Sequence, residues 1–164
     1  MLVDKHCQKG VTLVEAMIAL LVISIGLLGI ASLQITAMNQ NASSLHHSQA
    51  VWYAYNMSDR IRANMSEFAN YDGIDTSDGF TQDCVTSACS NSEMIDSDAA
   101  EWEAMVSNLP AGRGIVSNNV DGFSNIAGLV VTVMWDDNGN GATGTGCDPD
   151  NSNDLVCYRV AITQ

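Results

Sequence analysis

Three groups of residues in this chain could do chemistry. The first is near the N-terminus, where Lys5 and Lys9 precede Gly10 and a long apolar run carries one carboxylate, Glu15. A carboxylate in the hydrocarbon layer costs about 2.5–3.5 kcal/mol on insertion scales, and less near the interface. Glu15 therefore either snorkels to the interface or meets a positive charge. The second group is cysteine: Cys7 lies before the apolar run, while Cys84, Cys89, Cys147 and Cys157 all follow it. Their spacings, C-x4-C and C-x9-C, are not those of a zinc ribbon, and no histidine is near them. An even set on one side of a membrane segment points to disulfides in an oxidising compartment. The third group is Asp136-Asp137-Asn138-Gly139-Asn140-Gly141, with oxygen donors at Asp136, Asn138 and Asn140 ahead of a glycine. That is the opening of a calcium loop, but Cys147 stands where the closing acid belongs. Asp148, Asp150 and Asp154 would have to replace it in another geometry, and an Asx/Gly hairpin loop accounts for the same residues. No cofactor is expected, calcium being the one candidate.

Other functions are argued against. No Ser, His and Asp order, phosphate loop or metal-ligand set is visible, and His46-His47 have no acid nearby in sequence. The chain does not read as an enzyme. A formal net charge of -13 repels phosphate backbones, so nucleic acid is a poor partner.

These groups sit on a simple series of elements. Residues 11–33 read VTLVEAMIALLVISIGLLGIASL, long enough to span a bilayer with Glu15 as the only charge. A secretory signal peptide would be shorter and followed by a small-x-small cut site, which is absent here. The preceding lysines place the N-terminus in the cytoplasm and everything beyond Leu33 outside. No glycine or proline interrupts residues 34–68, so the helix is expected to continue to about Met65. Its apolar positions form two stripes. Ile35, Met38, Ala42 and Leu45 make one; Ala50, Ala54, Met57, Ile61, Met65 and Phe68 make another, shifted around the axis. Residues 70–91 read as loop. Ser90 and Glu93 form a capping-box pattern, and Ile95, Ala99, Trp102, Val106 and Leu109 predict a second helix over 91–108. Residues 113–117, 126–135 and 155–163 predict strands. On residues 126–135 one apolar face, Ala127, Leu129, Val131, Val133 and Trp135, alternates with the other. Trp52, Trp102 and Trp135 read as core or partner-packing residues. The expected fold is α+β: a long N-terminal helix, transmembrane in its first half, packed on a small antiparallel sheet with a second short helix.

The junction KGVTLVEAMIAL resembles the prepilin-peptidase site of type IV pilins and the related secretion pseudopilins, with Val11 where phenylalanine is usual. The resemblance implies a leader of residues 1–10, cleavage between Gly10 and Val11, and N-methylation of Val11. It implies a transmembrane half over 11–33 and a periplasmic pilin-like domain over 34–164. It also gives Glu15 a role as the assembly carboxylate, which neutralises the freed α-amine of a neighbouring subunit.

Further motifs narrow the likeness. Ser58–Asn64 reads SDRIRAN, Cys89 opens CSNSEMID, and Glu101–Gly114 reads EWEAMVSNLPAGRG. Together they resemble minor pilins of the PilV family. The implied function is a minor pilin that primes or modifies pilus assembly near the tip. The implied partners are prepilin peptidase, other minor pilins, the major pilin and the inner-membrane assembly platform. The alternatives are a minor pseudopilin of a type II secretion system and, more distantly, an uncleaved membrane-anchored receptor or adhesin. Read without the family, Asp59, Arg60 and Arg62 simply solvate a helix end and complement its dipole. For the cysteines, short loops favour Cys84–Cys89 and Cys147–Cys157, with two other connectivities open.

Overall fold

The structure, a computed structural model, describes residues 12–118 and 128–163. Its elements are α1 (Leu13–Ala63), a 3-10 segment (Met65–Tyr71), α2 (Asn91–Val106), β1 (Arg113–Ser117), β2 (Gly128–Trp135) and β3 (Val156–Thr163). The strands form one antiparallel sheet in the order β1-β2-β3. This is the α+β, type IV pilin-like architecture expected from the sequence. The chain divides into two compact units, one up to Ala42 and one from Ser43 onward.

In the first unit, α1 continues without a break through the apolar run. Every described side chain up to Ala42 is exposed. Leu21, Ile25 and Leu28 keep 59%, 63% and 72% of their surface. So much uncovered apolar area is unfavourable in water, at roughly 25 cal/mol for each Å². α1 is also the one helix among the described residues long and apolar enough to cross a membrane.

The second unit has a core of its own. From α1 it takes Ala50, Tyr53, Ala54, Met57 and Ile61, all buried. Ile95, Ala99, Trp102 and Val106 of α2 and Leu129, Val131, Val133 and Trp135 of β2 close over them. Of the two expected stripes the second is buried, apart from Met65, which is 41% exposed. Leu45 of the first is 57% exposed. Trp102 is fully buried and donates its indole N–H to the Tyr53 carbonyl at 3.0 Å. Its ring lies where a β-carbon on Gly114 would stand, so β1 carries a glycine at that point.

The expected bounds shift slightly. α1 ends at Ala63 and passes into the 3-10 segment, and α2 ends at Val106. β2 is described from Gly128, so Ile126 and Ala127 lie outside the described residues. Burial on β2 is not alternating: Val130, Thr132 and Met134 are buried as well as the core-facing set. Met134 packs with Ala142 and Leu155 from the loop between β2 and β3, which covers that part of the second face.

Candidate functional site

Gly10 and Val11 lie outside the described residues, which begin at Thr12. Thr12 closes the first turn of α1. The Glu15 N–H donates to the Thr12 carbonyl at 3.0 Å and to its Oγ1 at 3.4 Å, and the Ala16 N–H reaches the same carbonyl at 3.3 Å. Glu15 thus stands in the first helical turn, where the positive end of the helix dipole favours an anion. None of the ion pairs among the described residues involves it.

The SDRIRAN segment is a solvated helix end only at Asp59 and Arg62. Arg60 turns inward and joins α1 to α2. Its Nε donates to Asn56 Oδ1 at 2.8 Å, Nη1 to Asp98 Oδ1 at 3.0 Å and Nη2 to Glu101 Oε2 at 2.6 Å. The second Asp98 oxygen accepts the Tyr71 hydroxyl at 2.6 Å. Asn64 donates to the Asn91 carbonyl at 2.7 Å and to the Tyr71 hydroxyl at 3.3 Å. Burial alone would lower the Arg60 pKa, but the hydrogen bonds and charges of Glu101 and Asp98 raise it. Burial and the Asp98 hydrogen bond push the Tyr71 hydroxyl up. Arg62 stays outside and pairs with Asp59 at 3.2 Å, as a solvated pair would.

Cys84 is joined to Cys89 and Cys147 to Cys157, the Cα atoms of each pair being 5.5 Å apart. These are the two short-loop pairs. The first closes the loop ahead of α2, whose capping box is formed: Ser90 Oγ accepts from the Glu93 N–H, and Glu93 Oε2 accepts from the Ser90 N–H at 2.8 Å. The second ties the β2–β3 loop to β3.

The stretch that resembles a calcium loop folds as an Asx-type turn. Asp136 accepts the Gly141 N–H at 2.8 Å and the Asn140 N–H at 3.3 Å. Gly139 and Gly141 adopt φ of 62° and 81°, which lets those amides converge on the carboxylate. The Gly141 N–H is the main reason the Asp136 carboxyl sits below its ordinary range. Asn140 faces elsewhere: its Oδ1 accepts the Ala142 N–H and its Nδ2 donates to the Ser152 carbonyl, both at 3.0 Å. The Asp136 carboxylate and the Asn140 amide are thus both engaged in hydrogen bonds within the turn. Among the described residues no group of His, Cys, Asp and Glu is arranged to hold a metal ion.

One cluster was not readable from the sequence. Asp137 accepts the Ser43 hydroxyl at 2.6 Å and the Trp135 indole N–H at 3.0 Å, with His46 Nδ1 at 3.6 Å. Burial would raise the Asp137 pKa, yet the Ser43 and Trp135 hydrogen bonds and the charge of His46 hold it down. His47 meets Trp135 and Tyr158 edge-on. The cluster fastens the start of this unit's helix to the end of β2. The partners of Ser43 and His46 are over 90 residues away, so local spacing gave no signal. Of the three tryptophans, Trp102 and Trp135 are core, whereas Trp52 is 60% exposed.

Two family models match the chain. One, the prokaryotic N-terminal methylation motif, takes in residues 5–31; the other, type IV pilin Tt1218, takes in residues 32–100. No curated protein and no solved structure matches it.

Proposed function

We propose, from the premise that this chain is a type IV pilin carrying a prepilin N-methylation motif, that it is a minor pilin of the PilV kind. Pilins are structural subunits, so its action is assembly and not catalysis. In this reading prepilin peptidase cuts behind Gly10 and the α-amine of Val11 is methylated. Residues 11–33 hold the subunit in the inner membrane, and the remainder stands in the periplasm. The assembly platform then extracts the subunit into the fibre, near the tip, where it primes or modifies assembly with the other minor pilins and the major pilin.

The observation that carries this reading is Glu15. A carboxylate on the first turn of an otherwise apolar helix, unpaired within the described residues, needs a cation from another source. A freed α-amine on a neighbouring subunit supplies one. A signal-anchor that was never cut would have no use for it.

Processing gives the direct test. Gly10→Val crowds the scissile bond, so the variant is expected to keep residues 1–10, with Lys5 and Lys9, when the membrane fraction is analysed by mass spectrometry. An identical mature N-terminus in wild type and variant would remove the cleavage assignment. Deleting the chain should abolish twitching motility and leave protein secretion intact; the opposite pattern would make it a pseudopilin of a type II secretion system.

A further inference from the structure

The two edges of the sheet are treated differently. Outside β1, the chain's own residues 72–76 run alongside. The Gly73 N–H donates to the Val116 carbonyl at 2.9 Å, the Val116 N–H to the Ile74 carbonyl at 2.9 Å and the Thr76 N–H to the Gly114 carbonyl at 3.0 Å. Asp75 also bridges Ile115. That edge is closed. β3 pairs with β2 through all eight of its residues, and on its other side no backbone hydrogen bond is formed with any described residue.

An open edge of this length is normally blunted by proline, lysine, a bulge or shortness. β3 reads Val156-Cys157-Tyr158-Arg159-Val160-Ala161-Ile162-Thr163, without proline or lysine, pairs without a bulge, and carries the single charge of Arg159. Val156, Ala161 and Thr163 are exposed along it. The strand's one charge is also anomalous. Arg60, Arg62 and Arg113 each form an ion pair, but Arg159 forms none among the described residues. Its Nε is buried without an acceptor. A guanidinium left in that state is unfavourable until a carboxylate or another acceptor arrives.

We propose that the free edge of β3 is a strand-addition surface. It takes an extended segment of another protein chain, which continues the sheet and brings a carboxylate to Arg159. Main-chain hydrogen bonds supply affinity in this mode, and side chains supply selection. The carboxylate is a single one in an otherwise apolar, β-branched segment. Asp136, Asp137, Asp148, Asp150 and Asp154 border the same cavity as Arg159 and would repel an acidic tract. A second copy of this chain fits poorly, because antiparallel pairing of two β3 strands about Arg159 sets like charges together. The inference rests on the sheet and does not depend on the minor-pilin assignment.

The test uses the full-length chain in detergent micelles with two synthetic peptides, Thr-Val-Thr-Glu-Val-Thr-Val and the same sequence with Lys for Glu. Amide hydrogen exchange of residues 156–163 is followed alongside peptide affinity. The Glu peptide should slow exchange in β3 and bind at least ten-fold more tightly than the Lys peptide. Arg159→Gln should abolish that preference and Arg159→Lys should retain most of it, with exchange in β2 unchanged to show that both variants fold. The proposal is overturned if neither peptide slows exchange in β3, if the two bind alike, or if Arg159→Gln keeps the preference. Concentration-dependent self-association that protects the same amides without peptide would also overturn it, in favour of a second copy.

Discussion

The two units of this chain obey opposite rules. Residues 12–42 cover none of their side chains, while from Ala50 onward α1 buries the stripe Ala50, Tyr53, Ala54, Met57 and Ile61 in a core with α2 and the sheet. The same helix is therefore stabilised by its surroundings in one part and by its own domain in the other. The difference is one of composition. Between Leu13 and Leu33 apolar residues occupy all sides, which suits lipid or other apolar helices. From Ser43 onward polar residues are interspersed with apolar ones, and one face is covered by the domain while Leu45, Trp52 and Tyr55 stay exposed. An account built on this contrast predicts that core substitutions will unfold the second unit without disturbing the helix of the first. It also predicts that substitutions at the N-terminal junction will alter partnership and leave stability unchanged.

The largest effect is expected at Trp102. Trp102→Ala removes the centre of the second unit's core and the indole hydrogen bond to the Tyr53 carbonyl, so it should cost about 3–5 kcal/mol in denaturant unfolding followed by near-ultraviolet dichroism. In micelles the helical signal of residues 12–42 should persist. Loss of helix throughout the chain would show that the two units are not independent in stability.

Arg60→Ala comes next. It leaves Asp98 and Glu101 without their cation while Tyr71 still donates to Asp98, and a cost of about 1–3 kcal/mol follows from unsatisfied buried polar groups. Arg62→Ala, on the same turn but exposed, should cost less than about 0.5 kcal/mol. Equal costs for the two would mean that the α1–α2 clamp contributes nothing beyond a surface pair.

A smaller effect is tied to pH. Burial would raise the Asp75 pKa, but hydrogen bonds from Arg113 and Ser77, with the Arg113 charge, hold it below the ordinary carboxylate range. A folded pKa below the unfolded one, about 3.9 for aspartate, adds stability that is fully present above the unfolded value. It is lost as pH falls through the folded one. The unfolding midpoint of wild type should thus exceed that of Asp75→Asn at pH 7, and the gap should close as pH falls below the unfolded value of about 3.9. A gap independent of pH would assign Asp75 a packing role only.

Much of the fold was legible because it rests on local rules. The length of α1, the capping box at Ser90 and Glu93, and the nearest-neighbour disulfides all follow from spacing. The Arg60 clamp was missed, although a signal was present. Asp98 interrupts the apolar stripe of α2 between Ile95 and Trp102, and a carboxylate on a buried face requires a partner. Arginine on the facing helix was the available one. The contact of Ser43 and His46 with Asp137 had no such signal, since only the folded topology brings them together. At Asp136, likewise, sequence shows which oxygens are present but not that the carboxylate accepts the Gly141 N–H.

The central claim is that Glu15 acts through a partner and not through the fold, and incorporation into fibres measures it most directly. Mature wild type, Glu15→Ala and Glu15→Gln should be quantified in the inner-membrane and sheared-fibre fractions of the same cells. Alanine is easier to bury in lipid than glutamate, so insertion cannot account for any defect. Glutamine keeps the size and hydrogen bonding but not the charge. The account predicts normal maturation of all three, with both variants retained in the membrane and scarce in fibres. Equal recovery of all three from sheared fibres would contradict it, leaving Glu15 as a carboxylate that snorkels to the membrane surface.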